Sequence, residues 1–148
     1  MAELVFNKCR FLIGTSGAPT TTLAKKVRSV TISYNAEIQD KTAMGANSRQ
    51  RLSGIKDWNM AVEFNQDFAT SDFDKFMFAK VGDYSTNCWI QVSPTSAKGG
   101  ATNPRYCGRT LAEGYSPISG AVGDLATYSV TFQGDGDLSR LVTTGPKP

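Results

Sequence analysis

Histidine is missing from this chain. Its absence removes the commonest general base and the Ser-His and Cys-His nucleophile pairs. There is also no GxGxxG, GxxxxGK[ST] or HExxH run to hold a phosphate or a metal. The 3 cysteines (Cys9, Cys88, Cys107) are far apart, odd in number and outside any CxxC pair. They read as small structural thiols, not as a disulfide framework or a zinc site. No apolar run approaches the ~20 residues of a membrane helix, so no membrane insertion is expected. The opening residues, Met1 to Phe6, lack the basic start and long apolar stretch of a secretory leader, and a cytoplasmic origin is the expectation. No catalytic residue, metal or cofactor is assigned, and the chain does not read as an enzyme. Net charge is small, 16 basic against 13 acidic residues, too little to argue nucleic-acid binding by itself.

What the chain does have is alternation. Val30, Ile32, Tyr34, Ala36 and Ile38 point one way, and Ser29, Thr31, Ser33, Asn35, Glu37 and Gln39 point the other. A second run repeats the logic, with Trp58, Met60, Val62 and Phe64 against Asn59, Ala61, Glu63 and Asn65. Successive side chains of a strand alternate faces, so each run is a ribbon with one apolar and one wet side. The wet side of the first carries hydroxyls, amides and a carboxylate, but no Lys or Arg to grip phosphate.

Between the two lies Asp40 to Ser53, read as a long polar loop and therefore as a functional one. Lys41, Arg49 and Arg51, with Lys56 just beyond, suit contacts to another subunit, or else a solvated loop. No aromatic is interleaved to stack on bases. Further strands are predicted over Arg10–Ile13, Cys88–Ser93, Tyr106–Tyr115, Leu125–Gln133 and Leu138–Val142, the last after the Gly134–Asp137 turn. One helix follows a Thr70 or Ser71 cap and ends at Gly82. Phe73, Phe76, Met77 and Val81 form its apolar stripe. Phe78 falls off the stripe, so either the sheet wraps round to cover it or another subunit does. Trp89, Tyr106 and Tyr115 could line a glycan or peptide groove, or serve a core or subunit seam. The expected architecture is mainly β, a two-sheet antiparallel sandwich or barrel with one flanking helix and a long inter-strand loop. It is expected as a single domain over residues 1–148, with a flexible tail at 143–148.

Several short motifs carry a resemblance. They are Asp40-Lys41-Thr42-Ala43 through Arg49 to Leu52, then Gly54-Ile55-Lys56-Asp57 before a strand and a Phe-rich helix. Later come Asn103-Pro104-Arg105-Tyr106, Ser116 to Asp124, and Ser129-Val130-Thr131-Phe132 before a Gly-rich turn. From Val27 to Val142 the pattern resembles the tail tube (major tail) proteins of long-tailed bacteriophages. The resemblance implies hexameric rings stacked into a hollow tube, with one sheet of each subunit lining a channel for viral DNA. It implies a virion tail assembled in the host bacterial cytoplasm. Tape-measure, tail-terminator and baseplate or tail-tip proteins would be partners, and DNA would pass without specific binding. Lys41, Arg49, Arg51 and Lys56 would then be inter-subunit contacts, and the Ser29–Gln39 polar row the lumen face. A tail terminator or capsid decoration protein, or a monomeric β-sandwich that binds a glycan or peptide, are the alternatives.

Overall fold

In a computed structural model, residues 9–15, 21–22, 26–67, 71–84 and 88–142 are described. The tail at 143–148 lies outside these residues, as do Thr70 and the first eight positions. The strands are β1 (Arg10–Gly14), β2 (Thr21–Thr22), β3 (Val27–Asp40), β4 (Arg51–Asn65), β5 (Cys88–Ser93), β6 (Arg105–Ser119), β7 (Thr127–Gly134) and β8 (Ser139–Leu141). The helix α1 spans Ser71–Lys80.

The mainly-β, antiparallel reading with one flanking helix holds. The strands form one sheet, however, in the order β2-β1-β5-β6-β7-β4-β3, with β8 also on β6. It is not closed into a barrel, and β2 and β3 end its path unpaired with each other. The sheet curls instead: Phe11 of β1 meets Phe64 of β4 edge to face, with centroids 5.4 Å apart. Inside the curl, Phe11, Ile13, Trp58, Met60, Val62, Phe64, Ile90, Val130 and Phe132 form one buried cluster. The predicted apolar row of β4 is thus buried throughout. That of β3 is covered only along Val30 and Ile32, which pack on the cluster.

The helix closes one flank of the curl. Met77 is buried, and Phe73 and Phe76 pack on the core beside Phe64 and Tyr128. Gly82, at φ +72°, turns the chain out of the helix and donates its N–H to Ala112 O at 3.1 Å. Tyr115 of β6 donates its hydroxyl to Asp74 Oδ1 and so ties the sheet to the first turns of α1. Burial, followed by that bond and the charge of Asp74, pushes the Tyr115 phenol up to about 12. Burial raises Tyr128 as well. Both phenols are held neutral in the folded state, so their contribution is complete below the ordinary tyrosine value of about 10 and is lost as pH climbs through the raised values. Thermal melts across an alkaline series should therefore be flat to about pH 10 and fall above it, and Tyr115→Phe should make the fall shallower.

Candidate functional site

The loop expected over Asp40 to Ser53 is present over residues 41–50, and only its ends, Asp40 and Arg51 to Ser53, are strand. Ile38, Gln39 and Asp40 pair with Ser53, Leu52 and Arg51, past a bulge that inserts one residue into β4 between Ser53 and Lys56. Only residues 41–50 remain outside the strands, and they are tied at the neck. Lys41 N–H donates to Gln50 O at 3.0 Å, and Thr42 N–H to Asp40 Oδ1 at 2.8 Å. Gln50 N–H donates to Thr42 Oγ1 at 2.9 Å. Those Thr42 bonds hold the Asp40 carboxyl below its usual range.

β7 accompanies β4 only as far as Asn59. From Asn35 to Asp57 the β3–β4 pair is therefore a hairpin arm whose strands bond only to each other. Among the described residues nothing lies over its faces: Ile38, Leu52 and Ile55 are 57%, 58% and 81% exposed, and Met44 at the tip is fully so. Isolated exposed apolar residues need no explanation, but four on one projecting hairpin mark a surface made to be covered. The arm carries Lys41, Arg49, Arg51 and Lys56, all exposed, with no carboxylate between Lys41 and Lys56 in sequence.

The root of the arm is clamped by Trp58. Its indole lies on the bare backbone of Gly108 and Gly134: a Cβ would stand 2.4 Å from ring carbon Cζ2 at the first and 2.3 Å from Nε1 at the second. Trp58 Nε1–H donates to Gly136 O at 2.9 Å. Nothing in the local sequence around Trp58 announced this seat, since both glycines come from strands far along the chain.

The wet row of β3 is continuous with those of its neighbours. The ladder registers place Ser29 beside Glu63, Ser129 and Ser116, and Thr31 beside Ala61, Thr131 and Gly114. Ser33 follows beside Asn59, Gln133 and Leu111. Four carboxylates (Glu37, Asp57, Glu63, Glu113) stand in these rows or against them; the cations on this face are held by acids, Arg28 3.6 Å from Glu63 and Arg109, two residues from Leu111, 3.1 Å from Asp135. A shallow trough of about 370 Å³ runs among Ser29, Thr31, Glu63, Thr127, Ser129 and Thr131. The basic side chains of the arm are not in these rows, save where the arm itself extends them.

This four-strand face has two bare edges. Among the described residues, no strand pairs with the outer side of β3. On β6, β5 reaches only Thr110 and Val81 bridges Ala112, leaving Glu113 to Ser119 open on that side.

Phe78 is 77% exposed on the outer side of α1, beside Val81 and Tyr84, so the sheet does not wrap over it. The three aromatics of the suggested groove do not converge. The register puts Tyr106 and Tyr115 on the core side of β6, and Trp89 on the opposite side of β5. Cys88 and Cys107 are buried and Cys9 half-buried, and none of them is in a disulfide. Among the described residues no group of three His, Cys, Asp or Glu could hold a metal. No described helix is long and apolar enough to cross a membrane. Asp135-Gly136-Asp137 is a turn, with Asp135 3.1 Å from Arg109.

Chains of solved tail and injection-system particles share this fold. A chain of the SPP1 tail tube superposes with a TM-score of 0.71 at 11% identity, over 97% of this chain and 82% of that one. A chain from the native gene transfer agent virion gives 0.65 at 20% identity, over 88% and 95%. A chain from the PVC sheath/tube terminator of an extracellular contractile injection system, in its extended state, gives 0.73 at 10% identity, over 95% and 98%. At these identities the likeness is one of fold. No protein-family model and no curated protein matches the sequence.

Proposed function

We propose that this protein is a tail tube subunit of a long-tailed phage or a related particle, forming hexameric rings that stack around a channel for DNA. The observation that carries this reading is the continuous polar face of β3, β4, β7 and β6, poor in cations and bounded by two open edges. Joined edge to edge, the outer side of β3 on one copy and the free end of β6 on the next satisfy backbone groups that would otherwise invite aggregation. Such a ring turns the Ser29–Gln39 row inward. A hydroxyl and amide lining with excess carboxylates does not hold the passing phosphates. Between Lys41 and Lys56 the arm carries four cations and no acid.

The arm then serves contact between subunits, with Lys41, Arg49, Arg51 and Lys56 reaching neighbouring copies and Phe78 as a further contact on the outer side. Tape-measure, terminator and baseplate proteins are the partners this role calls for, in a virion tail built in the host cytoplasm. The role is assembly, with no catalytic step. A tail terminator is the second reading, favoured by the likeness to a sheath/tube terminator.

Negative-stain electron microscopy across a concentration series, with light scattering, tests both. Hollow tubes or stacked six-fold rings support the tube subunit, rings that never elongate the terminator, and a persistent monomer neither. Arg49→Glu should reduce tube formation at least tenfold while leaving the melting temperature unchanged, since Arg49 is exposed. Normal tubes from that variant would remove Arg49 from the interface.

A further inference from the structure

The outer half of β6 is lightly held. As far as Thr110 it has β5 along one side, but over 113–119 it pairs with β7 alone among the described residues. That remaining ladder is broken twice, by register shifts between Ala112 and Gly114 and between Ser116 and Ser119. A bulge bends a strand and interrupts its bonds, so this ladder by itself does not fix the shape of 113–119. Stretches with so few bonds are the ones that open first.

Three ties from outside the ladder supply what it lacks. Gln66, just past β4, donates its Nε2–H to Pro117 O at 2.6 Å. The other two come from α1 and its exit. Gly82 N–H donates to Ala112 O at 3.1 Å, where Val81 also bridges the strand. Tyr115, in the middle of the open stretch, donates its hydroxyl to Asp74 Oδ1. The helix has only 10 residues, a length that is marginal by itself in water. It stays in place through Phe73, Phe76 and Met77 on the core, and through the same two ties to β6.

We infer that α1 is a latch on the open end of β6. With the helix seated, 113–119 is a shaped edge that receives a strand. With the helix lifted, the bonds at Ala112 and Tyr115 go together and the stretch is loose. The coupling is reciprocal: a strand added to the edge holds the helix down, and a seated helix favours the added strand. A lifted α1 thus keeps free subunits from joining. That the arriving strand belongs to a second copy rests on the tube reading above; the latch itself does not.

Native-state hydrogen exchange of the dissociated subunit, followed by mass spectrometry over a denaturant series, tests the latch. We expect the protected amides of α1 and of 113–119 to open as one unit, ahead of those of β4 and β7. Tyr115→Phe and Asp74→Ala should speed exchange in both segments together by roughly tenfold or more, the effect of losing a hydrogen bond to a charged group. The same two variants should raise the concentration at which tubes appear by about twofold or more, as the joining-competent fraction falls. Asp74→Asn keeps an acceptor oxygen and should stay nearer the parent than Asp74→Ala in both readings. Separate openings of α1 and 113–119 overturn the latch. Faster exchange in both, with tubes forming at the parent's concentration, overturns its part in joining and leaves the tube reading standing. A parent chain that never assembles overturns the tube reading, while the exchange data still decide the latch.

Discussion

Gly134→Ala should lower stability by about 3 kcal/mol, the upper part of the usual range for forcing a group into a packed site. That corresponds to a melting temperature lower by roughly 6–12 °C for a chain of this size. The added methyl would stand 2.3 Å from Trp58 Nε1, and the ring has little room to retreat because it is 3% exposed and packed within the core cluster. Moving the indole also breaks its 2.9 Å bond to Gly136 O and leaves the N–H unpaired. Gly114 lies in β6 like Gly108 but has open space where a Cβ would go, so Gly114→Ala is the control and should stay within about 0.5 kcal/mol. Calorimetric melts of the two variants decide it. Equal melting temperatures would mean that Trp58 is not wedged on the glycines and that the root of the arm is held some other way.

The second expected result concerns passage of DNA. Thr31, Ser129 and Thr131 are exposed on neighbouring strands of the polar face, so Thr31→Lys, Ser129→Lys and Thr131→Lys together should leave the monomer fold intact. If that face lines the channel, tubes of the triple variant should retain linear duplex DNA at low salt where the parent retains none. Each phosphate engaged by the new lysines contributes about −0.9 to the slope of log affinity against log salt, so retention should collapse steeply between about 50 and 200 mM. Filter binding of assembled tubes across a salt series reads this directly. Tubes that assemble yet hold no more DNA than the parent would put another surface inside. Loss of assembly with an unchanged melt would place these rows at a subunit contact.

The sequence carried the strands that face the core and little of what lies beyond it. β4 was legible from Trp58 to Phe64 because burial demands an apolar residue at every second position. The same rule fails beyond Gln39, where no described residue covers the arm. Its outer stretch therefore has no alternation, and Asp40 to Ser53 read as loop. Phe78 was legible as an outlier because a helical stripe is a strict geometric pattern. Strand order was not, since hydrophobic alternation says which face is buried but not which strand is next door. That is why one curled sheet resembled two. The Trp58 seat was illegible for a further reason: it is assembled from residues that only the finished topology brings together.

The clamp at Trp58 has a mechanical meaning. An arm fixed at one end and free beyond it is a cantilever, and whatever grips its tip loads its root. Bending or pulling along a stack of such subunits would run as shear through the β3–β4 ladder and enter each body at the indole. There it meets the stacked rings and aliphatic groups between the strands, the part of the molecule least able to yield. Compliance in an assembly made this way would belong to the arm tips and whatever grips them, with each body turning as a stiff link in a chain.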